Sequence, residues 1–333
     1  MKAFDFEEER IIAEIIARGA NRVLLQLPEG LKSEAPNLAK NIEKIGVLPI
    51  ISGDPCYGAC DLHETELDLF NIDLVIHFGH SKMVKNEKVP TIYVDVRSTA
   101  KIAKTIEKSL LLLKEYKQIG LVTTVQHIQT IKTVQALLVK AGKTVFVGNS
   151  DQMQYPGQVT GCNYSNVGSV EDKVEVFLFV GGGRFHALGV ALSTIKPTIL
   201  ANPFDQKTYL LNSHVNKLLH QHWTLIQKAK KAKNFGILVS LKPGQENFKT
   251  AIKIKKIIEN IGKNAVIILL REILPEALME FPSIDAYVNT ACPRISFDAP
   301  LKFLQPVLSI NEFKVLSGEC SWKEMIKIGL FGK

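Results

Sequence analysis

No apolar run in the sequence approaches the roughly 20 residues that a membrane-spanning helix needs. The amino-terminal MKAFDFEEER has no apolar core of the signal-peptide kind, so a cytosolic location is the expectation. Cysteine is scarce and odd in number: Cys56, Cys60, Cys162, Cys292 and Cys320. An odd count in a reducing compartment argues against a disulfide framework and points to thiolate chemistry instead. There is no Walker loop, because the run Gly181-Gly182-Gly183 is not followed by Gly-Lys-Ser/Thr. Aromatic stacking motifs and finger-type spacings are also missing, so no direct nucleic-acid binding is expected.

What is present suits a soluble α/β protein. The chain has 333 residues, 46% of them hydrophobic and 22% charged, enough for two or three domains with their own cores. The net charge of +8 suits either an acidic partner or a lysine-rich solubility coat. The densest basic run, Lys228 to Phe235 (KAKKAKNF), reads as a solvated helix end, with an RNA-facing patch as the alternative.

Three segments read alike. RVLLQL, then SEAPNLAKNIEKIG, then VLPIISG form the first. QIGLVTT, HIQTIKTVQALLVKAG and KTVFVGN form the second, and NFGILVS, QENFKTAIKIKKIIENIG and KNAVIILL the third. Each is a short apolar run, an amphipathic stretch and a second apolar run. Unalternating runs of this length suit strands buried on both faces of a parallel sheet. In the third helical stretch Ala251, Ile254, Ile257, Ile258 and Ile261 recur at helical spacing. Gly46, Gly142 and Gly262 stand where a left-handed cap ends a helix. A third run follows in each copy: IDLVIHFG, VEVFLFVGGG and IDAYVNTAC, two of them with an acidic residue ahead. The expected fold is α/β, with three similar small parallel-sheet domains arranged around a pseudo-threefold axis. The expected boundaries are 1–100 with Cys60, 101–205 with Cys162, and 206–333 with a linking helix and Cys292.

In open parallel sheets ligands bind beyond the carboxyl ends of the strands. Cys60 and Cys162 each follow the second run of their copy, and Cys292 ends the third run of the third copy. Three thiolates meeting there would hold a cubane iron–sulfur cluster with one iron left open. Zinc with three cysteines and a water is the competing centre. The Cys56-x-x-x-Cys60 spacing is the first half of the usual radical-SAM loop, but the cysteine due three residues later is His63, so that reading fails. Cys60 is taken as the ligand, and Cys56 and Cys320 as bystanders.

Together GDPCYGACDL, HFGHSK, PGQVTGCN, VGGGRFHALG and NTACPRISFD resemble the archaeal diphthamide-biosynthesis enzymes, noncanonical radical-SAM proteins acting on translation elongation factor 2. The resemblance runs from LQLPEG to about Phe313. It implies a homodimer in which Cys60, Cys162 and Cys292 bind a 4Fe-4S cluster. It implies reductive cleavage of S-adenosylmethionine to methylthioadenosine and a 3-amino-3-carboxypropyl radical, which joins a histidine of the factor. A reductant is required, and its identity is not given by the sequence. The same chemistry suggests cofactor-binding roles for Gly181, Gly182, Gly183, Arg184, Gln26, Glu29 and His80, and catalytic roles for His186 and Arg294. Each has a plainer alternative: a tight turn at the glycines and at Gln26 and Glu29, a surface Arg184, a packed His186, a turn-capping His80, and Arg294 paired with Asp298. Two other functions compete: a quinolinate-synthase-like iron–sulfur dehydratase, and a basic ribosome- or RNA-associated protein with structural zinc.

Overall fold

The computed structural model describes residues 3–62, 64–83, 87–298 and 300–331; His63 lies outside them. The chain divides into two units. The first comprises Met1–Ala100 with the short segments Val125–Gln129 and Lys242–Gly244, and the second the remainder.

The first unit is built on four parallel strands in the order Leu48–Ile51, Arg22–Gln26, Leu74–Phe78, Thr91–Val94. A two-stranded antiparallel ribbon, Phe4–Asp5 with Arg97–Ser98, accompanies it. Helices Glu8–Arg18 and Ala35–Glu43 bury Ile11, Ile15, Leu38 and Ile42 against Val23, Leu25, Leu74, Ile76 and Phe78.

The second unit contains two sheets. One runs Lys207–Leu210, Thr198–Asn202, Val176–Val180, Gln118–Thr123, Thr144–Phe146, and only its outer strand Lys207–Leu210 is antiparallel. The other runs Asn264–Leu270, Asn234–Ser240, Ala286–Asn289, Val307–Ser309, all parallel. The α/β class and the several parallel sheets are as expected. The expected linking helix is Asn212–Lys230, with Lys228 and Lys230 exposed in its last turn. Among the described residues no helix is long and apolar enough to cross a membrane.

The three sheets share one wiring. In each the second strand, first strand, third strand and fourth strand stand in that order. Gly46, Gly142 and Gly262 stop the first crossover helices with φ of 79°, 77° and 74°, the left-handed conformation that costs glycine little. An acidic residue before each third strand clamps the start of the first. Asp73 accepts from the amides of Asn21 and Arg22, Glu175 from Lys117 and Gln118, and Asp285 from Lys233 and Asn234. Two of these acids stand out in the sequence, and Glu175 completes the set. In the second unit a glycine in the first strand faces an aromatic in the third. Gly120 pairs with Phe177 and Gly236 with Tyr287, and an added Cβ would come within 2.5 Å and 2.6 Å of the rings. The ring covers the strand where a side chain is missing.

The clamps make a pH prediction. The backbone amides of Arg22, Gln118 and Asn234, then those of Asn21, Lys117 and Lys233, hold the three carboxyls below their usual range. A depressed folded-state pKa contributes stability that is present above the unfolded value, about 4, and is lost as pH falls through the folded one. Replacing Asp73 and Asp285 by Asn and Glu175 by Gln is expected to flatten the fall in urea midpoint below about pH 4. An unchanged acid limb would refute the clamps' contribution.

Candidate functional site

The shared wiring sets where a site can form. The order of the strands reverses between the first and third strands, and at such a switch point the two following loops diverge and leave a crevice. In the first unit the residues there are Gln26, ending the first strand, and His77, its register partner in the third. Both are fully buried. Gln26 donates its amide N–H to the carbonyl oxygen of Asp61, 2.5 Å away. Its Oε1 therefore faces His77 Nδ1 at 3.0 Å and accepts the ring proton. That leaves His77 Nε2 as an acceptor, and His80 Nδ1 lies 3.0 Å from it. Burial pushes His80 down to about 4, so it is neutral at physiological pH. Gln26 and His80, expected separately as binding residues, are thus joined through His77. In sequence His77 is hidden within an apolar run, although a histidine in a strand buried on both faces needs polar partners.

The loop carrying Cys56 and Cys60 is knitted to this strand end. Glu29 accepts from the Cys56 amide at 3.4 Å and from Lys32 Nζ at 2.8 Å, and Lys32 also donates to the carbonyls of Gly53 and Asp54. The Cys60 carbonyl accepts from the amide of Gly244 at 2.8 Å. A Cβ at Gly244 would stand 2.6 Å from the Cys60 backbone, so only glycine allows this approach. Next to Cys60, Asp61 and Lys242 form an ion pair of 2.9 Å with side chains only 1% and 4% exposed, and Lys242 Nζ lies 4.5 Å from the Tyr57 ring centre. Cys56 is buried, and burial first, then the nearby Asp61 carboxylate, pushes its thiol up to about 12. Cys60 is partly exposed. Neither Lys242 nor Gly244 was singled out in sequence, because the partners lie some 180 positions away.

In the second unit Cys162 and Cys292 are both partly exposed and stand outside any disulfide. Arg294 relates them. It follows Cys292 by two residues, is 7% exposed, and lies with its guanidinium 3.6 Å from the Phe185 ring centre. It donates to the Phe185 carbonyl at 3.1 Å and pairs with Asp298 at 2.5 Å, the plainer role weighed for it. The same Phe185 ring would touch a Cβ at Gly161, so the loop of Cys162 packs where Arg294 stacks. Burial raises the Cys162 thiol, while Thr160 and the positive charge of Arg294 pull the other way. Cys292 is fixed by its carbonyl, which accepts from Asn289 Nδ2 at 2.8 Å.

The remaining expected residues gather at the start of helix Phe185–Thr194. Gly181 is buried, Gly182 leaves room for the Phe204 ring, and Gly183 has φ 69°. Arg184 bonds His214 Nε2 at 2.8 Å and lies over Tyr209 at 5.3 Å. His186 packs edge-on to Phe185, 4.7 Å between centres, and parallel to Phe179 at 6.2 Å. Cys320 packs at the edge of the core under the strand Asn234–Ser240.

A family model described as "Putative diphthamide synthesis protein" matches residues 27–327. The 2-(3-amino-3-carboxypropyl)histidine synthase of Pyrococcus horikoshii is 35% identical over 94% of this chain and 91% of its own. The enzyme of the same name from Methanocaldococcus jannaschii is 30% identical over 94% and 89%. Subunit 1 of the Schizosaccharomyces pombe enzyme is 27% identical over 98% of this chain and 77% of its own. The crystal structure of Dph2 from Pyrococcus horikoshii with a 4Fe-4S cluster superposes with a TM-score of 0.88 at 34% identity, covering 95% of this chain and 92% of that one. The chain belongs to the diphthamide synthesis family, as its motifs suggested. It is an enzyme of the class those relatives name.

The buried pair next to Cys60 can be tested by itself. Replacing Lys242 by Met leaves Asp61 buried without its cation, which costs about 3–5 kcal/mol for such pairs. Urea unfolding should register a loss of that order, largely restored when Asp61→Asn is added. Equal losses in the single and double variants would show that the pair is not coupled.

Proposed function

We propose that the chain carries out the first step of diphthamide biosynthesis. S-adenosylmethionine is cleaved reductively, methylthioadenosine is released, and the 3-amino-3-carboxypropyl group is transferred as a radical to a histidine of translation elongation factor 2. The observation that supports this most directly is the near full-length likeness to a cluster-bearing structure of a 2-(3-amino-3-carboxypropyl)histidine synthase family member.

The donor set suits the cluster. Cys60, Cys162 and Cys292 are partly exposed thiols outside any disulfide, on loops beyond strand ends, whereas Cys56 is buried. When bound, a 4Fe-4S cluster supplies an electron and an iron with an open coordination position. Cys60, Cys162 and Cys292 are its proposed ligands, with the three sheet-bearing segments 1–100, 101–205 and 206–333 set about a pseudo-threefold axis. Arg294, held by Phe185 and Asp298, places a fixed positive charge near Cys162 and favours the thiolate there. Arg184 has N–H donors beyond the one given to His214, and a guanidinium can fork onto the carboxylate of the aminocarboxypropyl group. The amides of Gly181 to Gly183 approach ligand closely for want of a Cβ. Gln26, Glu29 and His80 line the switch point of the first sheet, and His186 stands beside Phe185. The working form is a cytoplasmic homodimer that draws its electron from a separate reductant. The excess of positive charge gives it a means of attracting the protein substrate.

The test is anaerobic reconstitution with iron and sulfide, followed by dithionite and S-adenosylmethionine. Methylthioadenosine is expected, with a mass gain on added elongation factor 2. Cys60→Ala, Cys162→Ala and Cys292→Ala should each abolish the cluster's visible absorption, and Cys56→Ala should keep it. Adenosyl-side products, or a cluster lost in Cys56→Ala and kept in Cys60→Ala, would overturn the assignment.

A further inference from the structure

Cys56 has no part in the proposed cluster, yet it stands in a cluster of its own. Among the described residues, Cys56, His77 and His80 bring one ligand atom each to within 4.8 Å of one another. All three belong to the first unit, so the group lies within one compact part of the chain. It lies at the switch point of that unit's sheet, where His77 pairs in register with Gln26.

We propose that Cys56, His77 and His80 form a second, mononuclear site for a zinc-type divalent transition ion, separate from the iron–sulfur centre. Thiolate and imidazole are the donors that zinc and its neighbours take, and they disfavour magnesium and calcium. Two nitrogens bound to tetrahedral zinc at about 2.0–2.1 Å stand about 3.4 Å apart. His77 Nε2 and His80 Nδ1 are 3.0 Å apart, so an ion enters with a small outward shift of the rings. A metal-bound histidine ordinarily donates its other ring N–H to a fixed acceptor, which sets the tautomer. His77 does so to Gln26 Oε1, and Gln26 is fixed by the Asp61 carbonyl. Cys56 is fixed through its amide on Glu29. The fourth position falls to water or another small ligand, on the side where His80 is not fully covered.

The balance of the binding step is simple. The Cys56 thiol gives one proton to solvent and becomes the thiolate ligand. The His80 proton moves from Nδ1 to Nε2 as Nδ1 takes the ion, so the histidines release none. No oxidant or reductant is involved. The bound ion ties the loop bearing Cys56 and Cys60 to the end of the strand Leu74–Phe78.

The experiment uses the full chain with Cys60, Cys162 and Cys292 all replaced by Ser, stripped by a chelator and titrated with Co²⁺ alone. One Co²⁺ per chain is expected, with tetrahedral d–d bands and a sulfur-to-cobalt charge-transfer band. Cys56→Ser should abolish the charge-transfer band, and Gln26→Leu should weaken binding about 10–100-fold as an outer-shell loss. Absence of tetrahedral bands, or bands indifferent to Cys56→Ser and His80→Asn in chains whose circular dichroism is native, overturns the proposal. Should the triple-serine chain fail to fold, element analysis of the reconstituted wild-type protein decides instead. One zinc beside the iron, missing from Cys56→Ser, supports the site, and no zinc in either overturns it. Iron–sulfur absorption without cobalt binding sinks this site alone, and cobalt binding without iron–sulfur absorption sinks the cluster reading alone.

Discussion

Parallel pairing is the constraint on which the structure depends. A parallel strand cannot return by a hairpin, so every parallel strand delivers its following loop to the same edge of its sheet. Each sheet here repeats one strand order, and each therefore offers a loop-lined edge at the same place. Several uncommon residues lie at those edges: Cys60, Cys162, Cys292, the glycine run, His77, His80 and Arg294. The opposite edges carry the acidic clamps, where Asp73, Glu175 and Asp285 hold the first strand to the third. One edge is secured by charge on backbone amides, and the other carries the loops.

The loop of Cys60 illustrates how a partly exposed thiol is held on a segment without regular structure. Glu29, Lys32, Gln26 and Gly244 between them occupy its amides and carbonyls, and the Asp61–Lys242 pair lies beneath it, away from water. Partners left over from backbone pairing are supplied by side chains from distant parts of the sequence. The loop can then be specific in shape while Cys60 itself stays partly exposed.

Much of this was legible beforehand, for physical reasons that can be named. The run VFLFV is buried throughout, as its lack of alternation implied, whereas AVIILL, expected to be buried on both faces, forms an outer strand of its sheet that leaves Val266 and Leu269 half exposed. Gly46, Gly142 and Gly262 announced helix ends because few other residues take positive φ cheaply. The cysteine motifs and their order carried the family. What could not be read was long-range pairing of side chains. His77 sat unnoticed in IDLVIHFG because its partner Gln26 is 51 positions away. Lys242 looked like an ordinary lysine in SLKPGQ until Asp61 was found against it. Arg294 was noticed from its nearness to Cys292, but its stacking on Phe185 comes from the start of a helix 109 residues earlier.

Gly120 under Phe177 and Gly236 under Tyr287 carry a consequence for how this chain can vary. Each pair divides a fixed volume between two neighbouring strands, all of it on one side and none on the other. A larger residue at the glycine demands a smaller one opposite, and a smaller ring leaves a hollow that the glycine cannot fill. The two positions are locked as complementary shapes, so tolerated replacements there come as exchanges, large for small and small for large, and not singly.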